Sequence, residues 1–355
     1  MAKNRFFFHL LALVVVAIWG VTFVSTKTLI GAGMHPAAIF VIRFVLAYAG
    51  IWVLTFTEKK PVKLWSDSRK DEWIFVFLGI TGGSFYFLTE NTALAHTQAT
   101  NVSFLVCVAP LLTALLTLAY KRFFHGRFAD GLEDVRVGFP LVFGTLLALA
   151  GMAMVIFDGT RLQLSPKGDL LALGAALCWA LYSLFMSQMT EHYGAVFATR
   201  KVFFYGLLTI LPFLGQTGDS FSPAVLGRPV VFGNLLFLGL IASLACFIAW
   251  NLVMAKLGNV TSTNYVYLNP IFTLVTAMVL LGERMTLVSG LGCAAILAGV
   301  VLSGFKPSRA YRRVASFLSL SGSNGRSKKA SGSEGCHGSA ERCIGRPSEG
   351  IPLRR

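Results

Sequence analysis

Apolar runs of about 20 residues, the length an α-helix needs to cross about 30 Å of hydrocarbon, recur along this chain and leave room for few architectures. They lie at about 7–26, 37–57, 73–93, 98–119, 138–157, 168–189, 196–215, 231–254, 261–281 and 286–305. Each is filled with apolar residues and lacks the alternation of a barrel strand, so the expected fold is an all-α polytopic membrane protein with ten transmembrane helices. Composition agrees. Of 355 residues 55% are hydrophobic and 13% charged, with a mean hydropathy of +0.68, too little charge to cover a soluble surface of this size. The first run ends in WGVTFVSTK without a small-residue cleavage site, so it reads as a span and not a cleaved signal.

The runs are not independent of one another. The stretch Glu90–Thr113 returns 160 residues later as Trp250–Thr273, pairing Asn91 with Asn251, Ala95 with Ala255, Pro110 with Pro270 and Thr113 with Thr273. The same offset pairs Trp19 with Trp179 and Gly79 with Gly239. Past an insertion between the fourth and fifth runs the offset falls to 148, which pairs Gly144 with Gly292 and Gly151 with Gly299. A fixed offset of this length is an internal repeat. The expected units are residues 1–157 and 158–305, each of five spans. An odd number of crossings turns the second unit upside down relative to the first, a build that recurs in transporters with a site at the midplane.

The formal charge of +15 has a place in this scheme. Residues 306–355 hold eleven Lys/Arg and three Glu and contribute +8 of it. That segment is rich in Ser, Gly and Arg with almost no apolar pattern, and the expectation is a disordered tail whose basic start rests on anionic lipid headgroups. With the N-terminus inside, the short inner loops and ends carry sixteen Lys/Arg and the outer ones five. Both termini are therefore expected in the cytoplasm of a bacterial inner-membrane protein. A charge distributed by topology does not build a nucleic-acid groove. The six cysteines show neither metal-ligand nor CxxC spacing, so no metal and no cofactor is expected.

Several segments resemble the EamA-type branch of the drug/metabolite transporter superfamily: AIWGVTFVSTK in the first span, IRFVLA in the second, ALAHTQATNVSFLVCVAP across the third and fourth, NVTSTNYVYLNPIFTLVTA in the ninth, and LGERMTLVSGLGCAAILAGVVL through the tenth. The resemblance covers residues 7–305 and implies a transporter of small metabolites, often amino acids or toxic compounds, frequently outward. The chain departs from the pattern in three places. The first half carries AYKRFFHGR in place of a glutamate matching Glu283, the loop at 121–137 is long, and the tail is extra.

Among sixteen acidic residues Glu90 alone falls inside a span, and a charge at depth faces the bundle interior because lipid would exact several kcal/mol (about 2.5 or more). Arg43 lies about six residues, or ~9 Å, below the outer end of the second span, in the same half of the membrane. Two readings stand side by side: an ion pair fastening the second span to the third, or an acid for a cation or proton with a base for a substrate carboxylate. Tyr86 and Glu90 are i,i+4, as are Tyr265 and Asn269, so each pair shares a helix face. Asn91 and Asn251 read either as interhelical hydrogen-bond partners or as substrate contacts. Trp19 and Trp179 read as packing or as the lining of a central pathway. Pro110 and Pro270 each remove a backbone hydrogen bond at mid-span, and paired kinks point to a binding region in inverted-repeat transporters. Lys201, which aligns with Arg43 after a slip of two residues, has no acid opposite it in its own half and reads as a lysine reaching for the membrane surface.

A secondary transporter working by alternating access is the function these features favour, with a small-molecule substrate and the lipid bilayer as partners. An amino acid or related amphipathic metabolite fits the candidate residues, and a lipophilic cation is the alternative. No GxxxxGK[ST] is present to use ATP, and no HExxH or GxSxG points to a membrane enzyme. No catalytic residue is assigned, a mid-span Schiff-base lysine of a light receptor is missing, and the choice between monomer and homodimer is left open.

Overall fold

The computed structural model describes residues 2–57, 62–97, 99–124, 130–132, 139–157, 165–281 and 287–303. Residues Met1–Phe305 form one compact unit, and the expected disordered tail, 306–355, lies outside the described residues. No strand occurs among the described residues. The chain is a multi-pass membrane protein: among the described residues eight helices are long and apolar enough to cross a bilayer. These are α1 (Ala2–Gly31), α2 (Pro36–Thr57), α3 (Arg69–His96), α4 (Ala99–Val106 with Ala109–Phe123), α6 (Pro166–Tyr193), α7 (Ala195–Ile210), α8 (Pro229–Leu257) and α9 (Asn259–Thr263 through Asn269–Leu281). Two further apolar helices, α5 (Phe139–Phe157) and α10 (Leu287–Ser303), stand where the fifth and tenth spans are expected.

Local chemistry starts and stops these helices. Ser68 accepts from the Asp71 amide at the start of α3, with Asp71 and Glu72 in the first turn where they complement the helix dipole. Ser165 does the same for the Gly168 amide at the start of α6, with Pro166 in the first turn. Gly194 and Gly258, at φ 85° and 97°, each turn the chain in a single residue, from α6 into α7 and from α8 into α9. A side chain would strain both turns. α8 and α9 thus form a tight hairpin, and α3–α4 is also joined by only a few residues.

Glycines set how closely helices approach. A Cβ on Gly151 would stand 2.6 Å from the Gly292 carbonyl oxygen, and one on Gly299 would stand 2.5 Å from that of Gly144. The four glycines paired at the offset of 148 therefore form one seam, along which α5 and α10 meet backbone to backbone.

Two helices are distorted at matching places. Ile80–Ser84 in α3 and Phe237–Ala245 in α8 are π-helical, and the first range shifted by 160 falls inside the second. Each π segment changes the direction in which the following turns face and leaves carbonyls free of the usual α-helical bond. α4 and α9 are interrupted just before their prolines. Val106 ends the first piece of α4 and two residues separate it from Ala109–Pro110, which open the second, while in α9 a 3₁₀ stretch, Asn264–Leu268, precedes Asn269–Pro270. Pro110 and Pro270 are thus helix-opening residues at breaks, where a missing amide leaves nothing unsatisfied.

Candidate functional site

The turns that follow the π segments and the broken helices line one cavity. α1 contributes Trp19, Thr22 and Phe23, α2 Arg43, α3 Tyr86, Phe87 and Glu90, α4 Val106, α6 Trp179, α8 Phe247, and α9 Val266 and Asn269. Six of the residues singled out from the sequence meet here: Trp19, Arg43, Tyr86, Glu90, Trp179 and Asn269.

Three pairs in the lining obey the offset of 160: Trp19 with Trp179, Phe87 with Phe247, and Val106 with Val266. The two copies of the repeat therefore supply the apolar walls symmetrically. Trp19 and Trp179 meet edge to face with ring centroids 5.3 Å apart, Tyr86 lies 5.2 Å from Trp179, and Phe247 lies 5.9 Å from Trp19. Such contacts pack an aromatic wall firmly while presenting π faces to its interior.

The polar residues break that symmetry. Arg43 is only 2% exposed; its Nε donates to Ser243 Oγ at 2.9 Å, and its guanidinium stands 4.4 Å over the Phe87 ring. Ser243 belongs to the π segment of α8, as does Ala242, whose carbonyl accepts from Trp19 Nε1 at 3.1 Å. The distortion of α8 thus holds both a charged and an aromatic wall residue. Glu90 is 4% exposed and is reached by the Tyr86 hydroxyl from one turn earlier on α3. Arg43 and Glu90 face the same cavity, but no ion pair joins them among the described residues, so the expected fastening of the second span to the third is not made directly. Two buried opposite charges, each held by its own neutral hydrogen bond and an aromatic neighbour, keep the capacity to receive a partner. Asn269 Oδ1 and Trp179 Nε1, both in the lining, carry no hydrogen bond to the protein.

Three residues expected at the site lie off its lining. Asn91 donates to the Pro36 carbonyl oxygen at 3.2 Å and holds the start of α2 against α3. Asn251 accepts from the Tyr182 hydroxyl at 2.6 Å and donates to Thr199 Oγ1 at 2.8 Å, joining α8 to α6 and α7. Tyr265 bonds His9 Nδ1 at 2.7 Å, on α1. The i,i+4 argument for Tyr265 fails because Asn264–Leu268 is 3₁₀: three residues per turn rotate it away from the face of Asn269. The residues the sequence reading missed are mostly apolar. Phe87 with Phe247 and Val106 with Val266 were available from the repeat offset alone.

Lys201 does not reach for the membrane surface. It is 5% exposed and forms an ion pair with Glu72, while donating to the Leu64 carbonyl oxygen at 3.1 Å and lying 4.8 Å over the Trp65 ring. Its acid comes from the other half of the chain. Outside the spans, the Lys63 ammonium holds Asp67 below the usual carboxylate range through a hydrogen bond.

Comparisons with known proteins agree with the architecture. The model of the EamA-like transporter family matches residues 6–126 and again 166–305, so the family unit is present twice. An uncharacterized transporter of Archaeoglobus fulgidus is 26% identical, over 84% of this chain and 97% of its own length. A probable amino-acid metabolite efflux pump of Salmonella typhimurium is 27% identical, over 85% and 97%. A probable terminal-alkyne amino-acid exporter of Streptantibioticus cattleyicolor is 24% identical, over 68% and 76%. One crystal structure, 19% identical, superposes with a TM-score of 0.60 over 88% of this chain and 99% of that one, a likeness of fold alone.

Proposed function

The chain belongs to the EamA-like transporter family, and from that premise we propose that it exports an amino acid or a related amphipathic metabolite by alternating access. The observation that carries the reading is the pair Arg43 and Glu90, opposite charges on one aromatic-walled cavity without an ion pair between them. A zwitterion satisfies both at once, its carboxylate on the guanidinium and its ammonium on Glu90 and Asn269 Oδ1, with its side chain against Trp19, Trp179 and Phe247. The two relatives named as amino-acid exporters or efflux pumps support the same substrate class.

Two five-helix units of opposite orientation supply the cycle: exchanging the conformations of the units exchanges the side to which the cavity opens. The excess of Lys/Arg in the loops at the end bearing residues 62–72 supports a topology with that end and both termini in the cytoplasm and the chain in a bacterial inner membrane. The partners of this reading are the substrate and the bilayer, with no nucleic acid.

The test is the metabolite content of medium and cytosol in cells expressing the chain, beside Glu90→Gln and Arg43→Ala at matched membrane levels. Export of a zwitterionic metabolite by the wild type, reduced about tenfold or more in both variants, is the expected result, since each loses a charge-assisted contact. Equal export by all three would dismiss the ionic site. A second reading is export of a lipophilic cation held by Glu90 and the aromatic faces. It predicts that Glu90→Gln abolishes efflux while Arg43→Ala spares it.

A further inference from the structure

At the end bearing residues 62–72, the two halves of the chain are joined by buried charge. Glu72, in the first turn of α3, receives four donors: the Lys201 ammonium, the Tyr205 hydroxyl, and both the hydroxyl and the amide of Ser66, the last at 3.0 Å. The neighbouring Arg200 donates to the Lys63 carbonyl oxygen and to Thr55 Oγ1, and its guanidinium lies 4.7 Å over Trp52. Tyr193, at the end of α6, donates to Asp71 at 2.7 Å and accepts from the Asp67 amide at 3.0 Å. Segment 62–72 is thereby bound to α6 and α7 of the other half.

The repeat shows that this bonding is not a general requirement of the fold. At the offset of 160, Glu72 corresponds to Phe232, while Lys201, after the slip of two residues, corresponds to Arg43. A contact needed merely to pack the equivalent helices would have its counterpart in the other copy; here that copy keeps a cation but has Phe232 in place of the acid. The ion pair has been placed at one end only, between parts that must separate if the cavity is to open there.

We propose that Glu72 and Lys201 form the gate at this end of the transporter, holding it shut until the pair parts and admits substrate to the cavity. The inference rests on the alternating-access reading. Segment 62–72 moves away from α7 as the gate opens, and Lys201 exchanges its carboxylate for water. Tyr205 and Ser66, which bind the same carboxylate, return it to position on closure. Trp19 and Trp179 of the cavity lining pack against Trp250, with Trp19 and Trp250 centroids 5.0 Å apart.

The experiment measures access to the cavity from each face. A full-length chain with its six cysteines replaced by alanine and Thr22→Cys as the only thiol is labelled with a membrane-impermeant maleimide in right-side-out and inverted vesicles. A second chain with Lys70→Cys, exposed beside Glu72, identifies the face on which that end lies. Glu72→Gln and Lys201→Met are each expected to raise labelling of Thr22→Cys from that face about tenfold, and to leave the opposite face unchanged or slower. The exchanged double variant Glu72→Lys/Lys201→Glu is expected to return to the unsubstituted rate, which a merely unfolded or loosened chain would not do. Unchanged labelling, or equal acceleration from both faces, would overturn the gate. Export is measured in parallel on chains with native Thr22. Unaltered access beside working export discards the gate and keeps the transport reading, whereas absent export in the wild type counts against the transport reading whatever the labelling shows.

Discussion

The two ends of the bundle are fastened by different chemistry. At one, segment 62–72 is held to α6 and α7 by carboxylates and cations that are largely withdrawn from water. At the other, Lys27 donates to the carbonyl oxygens of Leu94 and Thr97 at 2.5 and 2.7 Å, Asn101 donates to Asp169 at 2.7 Å, and the His35 amide donates to Ser220 Oγ at 2.9 Å. These are hydrogen bonds to carbonyl, carboxylate and hydroxyl oxygens, and none of them joins a cation to a carboxylate. Breaking a buried ion pair strands a charge, while breaking a lone hydrogen bond near the surface trades it for one to water. The first kind of closure is a latch with two well-separated states; the second yields gradually.

Breaking the latch should have the largest effect. Lys201→Met leaves Glu72 without its cation and is expected to cost about 3 kcal/mol, read as loss of thermal stability in detergent, whereas Lys201→Met with Glu72→Leu should recover most of that loss. If the double variant is no better than the single, the pair contributes to stability as well as to closure. Next comes the helix contact between the latch and the cavity. A Cβ on Gly82, in the π segment of α3, would run into the Tyr182 ring, so Gly82→Ala is expected to cost about 1–3 kcal/mol. At the opposite end nothing lies within 4 Å of a Cβ on Gly31, and Gly31→Ala should leave the melting temperature nearly unmoved. Asn101→Ala should fall between Gly82→Ala and Gly31→Ala, at about 0.6 kcal/mol for one interhelical hydrogen bond. A cost for Asn101→Ala as large as that of Lys201→Met would erase the distinction between the two ends.

The sequence made the helices and the walls of the cavity readable and hid the bonds across the halves. Apolar run length is a local quantity, and the repeat offset alone identified Trp19 with Trp179; extended to apolar residues, it also identifies Phe87 with Phe247. Glu90 and Arg43 stood out because a charge at depth needs an interior to face. Glu72 did not, because it sits in a first helical turn, where an acid is expected from the helix dipole alone. Its partner Lys201 lies 129 positions away in the other half, and nothing local records that meeting. Asn91 and Asn251 were conspicuous for the same reason as Glu90, yet Asn251 is engaged by neighbouring hydroxyls and Asn91 donates to a carbonyl, while Asn91 Oδ1 is buried without a partner. Tyr265 was placed by α-helical periodicity in a stretch that is not α-helical.

The matched π segments also stand in step. A π turn accommodates one residue more than the α-helix around it, so an extra residue in one half alone would put the halves out of step beyond that point. No such step exists: Trp19 and Trp179 before the distortions, and Phe87 and Phe247 after them, keep the same separation of 160. The two halves thus carry their irregular turns in register and differ instead in charge, with Glu90 against Trp250 and Glu72 against Phe232.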